Sequence, residues 1–297
     1  MSSNSGEICR DKATSSETRT PRRPKVHGTA PKPFVKWAGG KRQLLEVLLD
    51  NAPASFGTFY EPFLGGGALL LALRLEKAVV SDTNAELINA YLVIRDHVDG
   101  LIRSLRHHRN EEAYFYALRS RDTAKLNEVQ RASRFIYLNK TCYNGLYREN
   151  SKGQFNAPYG RYKNPNFVDA ENLYAISAYL RNSDVKILCQ DYKASSLLAD
   201  KGALVYFDPP FHPLSQTSSF TKYVKGDFTV RDQEDLAETY RSLARKGCYV
   251  MLSNSNTSFI KDLYRGFKII EVEANRFINC QSDKRGKGLF EILVMNY

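Results

Sequence analysis

Asp208, Pro209, Pro210 and Phe211 follow directly on the apolar run Leu204-Val205-Tyr206-Phe207. In open α/β sheets ligands bind beyond the carboxyl ends of the strands, so an acidic turn in this place faces whatever the sheet binds. Two successive prolines fix φ twice and remove two N–H donors. What remains is a pair of acceptors, the Asp208 carboxylate and the Pro209 carbonyl, beside the flat face of Phe211. That set suits a planar amine carrying two N–H groups. The lone pair of an aromatic exocyclic amine is delocalised into its ring. Hydrogen bonds from both N–H groups to Asp208 and Pro209 favour a pyramidal nitrogen, whose localised lone pair can attack an electrophilic methyl group in line. Asp208 need not be a strong base, because methylation itself acidifies the N–H. The same residues also read as an ordinary proline-stiffened turn.

Three further segments carry chemistry. Glu61-Pro62-Phe63-Leu64-Gly65-Gly66-Gly67 follows one predicted strand and precedes a helix, and its glycines let the backbone approach a ligand closely. The spacing is not the dinucleotide fingerprint, but Asp82 ends the next strand about 20 residues on, where an acid can bind ribose hydroxyls. A nucleoside-containing cofactor is the expectation. In Lys36-Trp37-Ala38-Gly39-Gly40-Lys41-Arg42 the Gly-Lys pair suggests a phosphate loop, but Val35 stands where its first glycine belongs and Arg42 replaces Ser/Thr. An NTPase is rejected. The sole Trp beside a Gly-Gly-Lys turn better suits stacking on a cofactor and holding its carboxylate. The loop from Asn139 to Lys163 interleaves Tyr and Phe with Asn and Arg; from Lys140 to Lys163 it holds five basic residues and one acidic. Arg pairs bidentately with guanine, Asn with adenine, and Leu or Pro can touch a thymine methyl. A Tyr/Asn-rich surface loop is the alternative. His107, His108 and His212 have no Cys or acid at metal spacing and read as structural.

Strands are predicted at Thr58–Glu61, Ala78–Ser81, Val185–Leu188, Leu204–Phe207 and Tyr249–Leu252, with Phe267–Val272 and Leu289–Met295 as a closing pair. Gly67–Glu76 reads as a buried helix and Asp232–Arg245 as an amphipathic one. Such alternation implies a doubly wound α/β sheet. It breaks between about Tyr91 and Asp184. Thr83-Asn84-Ala85-Glu86 reads as a capping box opening one long helix with the stripe Leu87, Tyr91, Ile94, Val98, Leu101 and Leu105. Further helices are expected at Glu111–Arg121, Lys125–Lys140 and Asp169–Arg181. The expected domains are a discontinuous α/β domain (33–90 and 185–297) and a helical insertion (91–184). Residues 1–32, with seven basic and three acidic side chains and little that is apolar, read as a disordered basic tail.

The whole chain of 297 residues carries a formal net charge of +11 and is 42% hydrophobic, enough for a sizeable core. The charge favours a polyanionic partner only weakly. No apolar run is long enough to span a membrane and no signal peptide opens the chain. Five widely spaced cysteines without a C-x-x-C pair argue against a zinc site or disulfide framework and fit a reducing cytoplasm.

Taken together, the segments resemble the Dam-type DNA adenine-N6 methyltransferases. The resemblance covers roughly Pro33 to Tyr297. It rests on Lys36-Trp37-Ala38-Gly39-Gly40-Lys41, Glu61-Pro62-Phe63-Leu64-Gly65-Gly66-Gly67, Tyr143-Asn144-Gly145-Leu146-Tyr147-Arg148, Phe155-Asn156-Ala157-Pro158-Tyr159-Gly160-Arg161-Tyr162 and Asp208-Pro209-Pro210-Phe211, in the family's order. It implies a Rossmann-like methyltransferase sheet, S-adenosylmethionine as cofactor, no metal, and double-stranded DNA as partner, with no obligate protein partner evident. It implies a flipped adenine, within GATC, held by Asp208, Pro209, Pro210 and Phe211. Trp37, Ala38, Gly39, Lys41, Glu61, Pro62, Phe63, Gly65, Asp82, Asp191 and Asp208 are the cofactor candidates. Lys36, Asn144, Leu146, Arg148 and Pro158 are the DNA-reading candidates, with Tyr143 as an intercalating aromatic. The family usually has Tyr where Phe211 stands, which keeps stacking and loses any hydroxyl contact. Two other functions fit less well: methylation of RNA or another planar amine through the same turn, and an inactive DNA-binding regulator, against which the intact Asp208 argues.

Overall fold

The computed structural model describes residues 30–37, 41, 44–150, 153–213, 228–274 and 289–297. Ala38, Gly39 and residues 1–29 of the expected tail lie outside the described residues, as do Lys152 and the segment after Pro213 up to residue 227.

Among the described residues seven strands form one sheet: β1 (Phe59–Glu61), β2 (Lys77–Asp82), β3 (Asp184–Cys189), β4 (Leu204–Phe207), β5 (Tyr249–Ser255), β6 (Lys268–Ala274) and β7 (Leu289–Met295). Their order across the sheet is β3-β2-β1-β4-β5-β7-β6. The five strands from β3 to β5 are mutually parallel, and β7 runs antiparallel between β5 and β6. Strand order reverses between β1 and β4, so the crevice at a topological switch point opens beyond Glu61 and Phe207.

Strands buried on both faces explain the near-continuous apolar runs in the sequence. In β4 the alternation splits the strand between two cores. Leu204 and Tyr206 join the cluster that includes α1 (Leu45–Asp50), α2 (Ala68–Leu73), α3 (Ala85–Asp96) and α7 (Ala170–Asn182). Val205 and Phe207 face the other, with α8 (Tyr192–Ser196), α9 (Val230–Lys246) and α10 (Ser258–Leu263). The sheet is thus doubly wound, with helices on both faces.

Between β2 and β3 the chain runs through α3, α4 (Val98–Arg106), α5 (Glu112–Arg119), α6 (Glu128–Thr141) and α7. Side chains of α3, α4, α6 and α7 share the first core with the sheet. A separate small core, built on Phe115, Leu118, Tyr137, Leu138, Cys142, Phe155 and Ala157, lies under the loop that follows α6.

Several local expectations are corrected. The single long helix is two helices, broken at His97 (φ −135°, ψ 35°), which lets α4 turn onto α6 and α7. No capping box forms at Thr83. Asn84 is the N-cap, accepting the Leu87 N–H, and Glu86 pairs instead with Arg131 at 2.6 Å. The helix predicted over Gly67–Glu76 stops at Leu73, because Arg74 adopts the left-handed conformation (φ 48°). Strand β5 extends three residues past Leu252 through Ser253-Asn254-Ser255, polar side chains that are nevertheless buried.

Candidate active site and DNA interface

The two strand-end segments meet at the switch point. Phe59 of β1 pairs with Leu204 of β4, so the acidic ends Glu61 and Asp208 emerge close together. Lys41 supplies a cation: its Nζ lies 2.7 Å from Asp208 Oδ1, 4.0 Å from Glu291 Oε2 and 4.4 Å from the centre of the Phe211 ring. Lys41 is 4% exposed. An ammonium so buried is tolerable only among carboxylates, and here they are Asp208 and Glu291. Glu61 is also buried and accepts the Leu70 N–H at the start of α2 (3.2 Å). Burial, then the neighbouring Asp208 charge, pushes its carboxyl well above the usual range.

The glycine segment is shaped by contacts that exclude side chains. Gly65 has φ 48°, and a Cβ there would fall 2.7 Å from Trp37 Cδ1. Gly65 N–H donates to Asp82 Oδ2 (3.0 Å) and Asn84 N–H to Asp82 Oδ1 (2.9 Å). Asp82 therefore ties the glycine turn to the end of β2. Burial raises its pKa, opposed by those N–H groups. Asp191 starts α8 one strand further along, capping the Lys193 N–H (2.8 Å). Phe63 stacks on Tyr192 (5.1 Å between centroids, 24°), and the Tyr192 hydroxyl is buried with no partner among the described residues. Pro62 is buried and its carbonyl accepts from Ser81. Carboxylates at the ends of β2 and β3, with aromatic faces between them and an ammonium beyond, form a donor and acceptor set that fits a nucleoside joined to a zwitterionic amino acid.

Trp37 does not stand alone. Its ring stacks on Tyr147 (5.6 Å, 25°), which joins the segment of Trp37 to the loop after α6. The extended chain leading to Trp37 is zipped down by two buried asparagines. Asn172 of α7 binds the main-chain N–H and C=O of Lys32, and Asn139 of α6 binds those of Lys36 (2.7 and 2.8 Å). Each amide matches a peptide group, donor to acceptor, as a neighbouring strand would.

The loop itself is a compact pair of chain segments. Cys142 and Glu149 bridge to Tyr159 and Phe155, and the Tyr143 N–H donates to the Pro158 carbonyl (2.8 Å). Tyr143, 51% exposed, thus sits beside exposed Pro158. Asn144 takes a left-handed φ of 55° in the turn. Arg148 is exposed and its Nε–H donates to Asn156 Oδ1 (2.7 Å), which fixes the guanidinium plane. Leu146 is half-buried. Lys36 packs against Gly145 and sets its ammonium over the Tyr162 ring (4.1 Å). The six DNA candidates therefore share one surface region, underpinned by Arg119, which donates to the Asn156 and Ala157 carbonyls.

The profile of the D12 class N6 adenine-specific DNA methyltransferases matches residues 37–278. The chain belongs to this family. It is an enzyme that methylates adenine in DNA. Among relatives of this family, the chain is 46% identical over 288 residues to the type II methyltransferase M.MjaIII of Methanocaldococcus jannaschii, covering 90% of this chain and 99% of that one. It is 35% identical over 275 residues to a DNA adenine methylase of Haemophilus influenzae (89% and 95% covered). It is 34% identical over 258 residues to the DNA adenine methylase of Escherichia coli (86% and 91%). The geometry above brings together three parts of the chain: the turn after β4, the glycine segment after β1, and the residues Trp37 and Lys41.

Sequence reasoning passed over Asn139 and Asn172 as holders of the N-terminal strand, and over Gln233 and Asn254, which contact the Asp208–Phe211 turn. One signal was available: Gln233 falls on the apolar stripe of α9 with Leu236, Ala237, Tyr240 and Leu243. A polar residue in such a stripe needs a buried partner. Among the described residues no group of three or more His, Cys, Asp or Glu could hold a metal ion, and no helix is long and apolar enough to cross a membrane.

Proposed function

We propose that this enzyme uses S-adenosylmethionine to methylate the N6 amine of an adenine flipped out of duplex DNA, within GATC. The observation that carries the reading is the convergence of Asp208 and Phe211 with Lys41 and Glu61 at the switch point, one wall away from the loop that bears Tyr143 and Arg148. The cofactor supplies an electrophilic methyl group on a sulfonium. Trp37, Phe63 and Tyr192 offer it aromatic faces, Asp82 and Asp191 offer acceptors for its hydroxyl and amine groups, and Lys41 offers a cation for its carboxylate. The fit is in the donor set: carboxylates, rings and one ammonium in the order a nucleoside and an amino acid require.

On the substrate side, an adenine amine inside a duplex is out of reach, so the base must leave the stack at a few kcal/mol. Phe211 returns part of this by stacking, about 1–3 kcal/mol. Asp208 and the Pro209 carbonyl accept from the two N–H groups, localise the lone pair and aim it. Lys41 pairs with the Asp208 carboxylate at 2.7 Å and holds it in place beside the Phe211 ring. Asn144, Leu146, Arg148, Pro158 and Lys36 read base edges or phosphates, and Tyr143 enters the space left by the extruded base. The insertion (91–184) is the recognition part and the remainder from residue 33 the catalytic part. The basic tail adds attraction for phosphates, and the site of action is the cytoplasm, where bacterial or phage DNA lies.

The test is transfer of labelled methyl from S-adenosylmethionine to duplexes containing GATC, to duplexes changed at each position, and to single-stranded DNA and RNA. Labelling of the GATC duplex alone is expected. Equal labelling of all duplexes would refute the target, and preferential labelling of RNA would refute the substrate.

A further inference from the structure

The Asp208–Phe211 turn is gripped from behind by two side chains outside the family motifs noted in the sequence. Gln233 is 1% exposed on the first turn of α9, and its Nε2–H donates to the Pro210 carbonyl (2.9 Å). Its Oε1 accepts from Asn254 Nδ2 (3.0 Å). Asn254 is fully buried near the end of β5, and its Oδ1 accepts both the His212 N–H (3.2 Å) and the Ser255 N–H (2.8 Å).

This chain of bonds has one possible direction. At one end a proline carbonyl can only accept, so the Gln233 NH2 must face it. At the other end two peptide N–H groups can only donate, so the Asn254 oxygen must face them. The middle bond, Asn254 NH2 to Gln233 oxygen, then follows without choice. The ends fall on Pro210 and His212, the residues either side of Phe211.

The clamp is itself held on both sides. Gln233 is set by the capping box of Thr229 and Asp232 that starts α9. Asn254 is set because β5 outruns β4: Leu252 pairs with Phe207, while Asn254 pairs with Ile292 of β7. The strand extension that the apolar pattern did not reveal is thus what carries Asn254 alongside the turn.

We propose that Gln233 and Asn254 are positioning residues for the methyl transfer, fixing Pro210 and His212 so that Phe211 and Asp208 meet the flipped adenine at the reactive angle. This rests on the reading of the turn as the adenine site. Prolines remove two N–H groups from this stretch, so it has few backbone bonds of its own with which to resist rotation. The amide pair supplies that resistance.

The experiment uses the full chain and the variants Gln233→Met, Gln233→Glu, Asn254→Asp and Asp208→Ala. It measures single-turnover transfer to a GATC duplex, duplex and S-adenosylmethionine affinity, thermal unfolding, and the fluorescence of a duplex with 2-aminopurine at the target adenine. The expected result for Gln233→Met is a rate about 100-fold lower, the loss a misplacement of about 1 Å produces, with both affinities within about threefold. The 2-aminopurine signal should persist, because extrusion does not need the clamp. Asn254→Asp, which keeps the oxygen that accepts the two peptide N–H groups and loses the donor to Gln233, should fall between that variant and the intact enzyme. Should Gln233→Met fail to fold, the nearly isosteric Gln233→Glu and Asn254→Asp decide in its place.

A folded variant with an unchanged rate would overturn the proposal, as would a loss seen equally in both affinities. Activity retained by Asp208→Ala would instead overturn the reading of the turn. An inactive Asp208→Ala beside a fully active Gln233→Met would remove the clamp alone.

Discussion

At Phe211 the chain tests the division between stacking and hydrogen bonding. The ring is half-buried, with the Lys41 ammonium over it. Phe211→Tyr restores the residue usual in the family and should leave transfer within about threefold, whereas Phe211→Ala should cost about 1–3 kcal/mol of transition-state stabilisation through lost stacking. Single-turnover rates separate the two, and equal losses would mean that the ring does not face the base. Arg148 makes a second claim at this scale. Asn156 already orients its guanidinium, so a bidentate contact to guanine carries little further ordering cost. Arg148→Ala should relax discrimination at one base pair by about 1–3 kcal/mol, measured by competing duplexes. Equal weakening on every sequence would make it a phosphate contact.

Among the elements, the glycine turn between β1 and α2 is the most constrained. Gly65→Ala would need a left-handed φ and would drive a Cβ into the Trp37 ring. Affinity for S-adenosylmethionine, by calorimetry, should fall at least tenfold while the protein remains folded; unchanged affinity would separate this turn from the cofactor. The elements also show what the sequence made legible. Strands β4 and β7 were readable to the residue: β4 is an uninterrupted apolar run buried on both faces, and β7 is apolar but for Glu291. The end of β5 was not, since Ser253, Asn254 and Ser255 read as a turn until their buried partners Tyr206, Gln233 and His212 are known. The break at His97 was hidden because Leu87, Tyr91, Ile94, Val98, Leu101 and Leu105 keep helical spacing across it. For the site, the residues at the strand ends were legible as motifs. Their supports at Asn139, Asn172, Gln233 and Asn254 come from parts of the chain up to 140 residues away; the apolar stripe around Gln233 shows that it needs a buried partner, but no local pattern says which.

Over the whole molecule, the net charge of +11 divides into +4 in residues 1–32, +5 in 91–184 and +2 in the remainder. The excess lies where DNA is proposed to bind, so duplex affinity should fall linearly in log–log form with salt. His108, half-buried, makes fold stability depend on pH. His108 lies among Tyr114, Ser133 and Tyr137, bonded to the first two through its ring nitrogens (2.7 and 2.8 Å). Burial lowers its pKa from 6.5 to about 4. Between those values the unfolded chain binds a proton that the folded chain does not, so stability rises with pH through this window and is lost as pH falls. Urea unfolding at pH 7 and pH 5 should show this, and His108→Gln should flatten the dependence. An unchanged slope in that variant would place the acid sensitivity elsewhere. Because His108 contacts α5 and α6 beside the loop core, acid should weaken the α5–α6 region before the sheet.

Asp208 is the residue on which the proposed methyl transfer depends most directly. The deciding measurement is the amount of N6-methyladenine formed in a GATC duplex by the intact chain and by Asp208→Ala, with duplex binding measured on the same samples. The intact chain should methylate the duplex, and the variant should form no product while binding it within about threefold, since phosphate contacts far from the turn supply most of the affinity. Product formed by the variant at a rate near that of the intact enzyme would contradict the account.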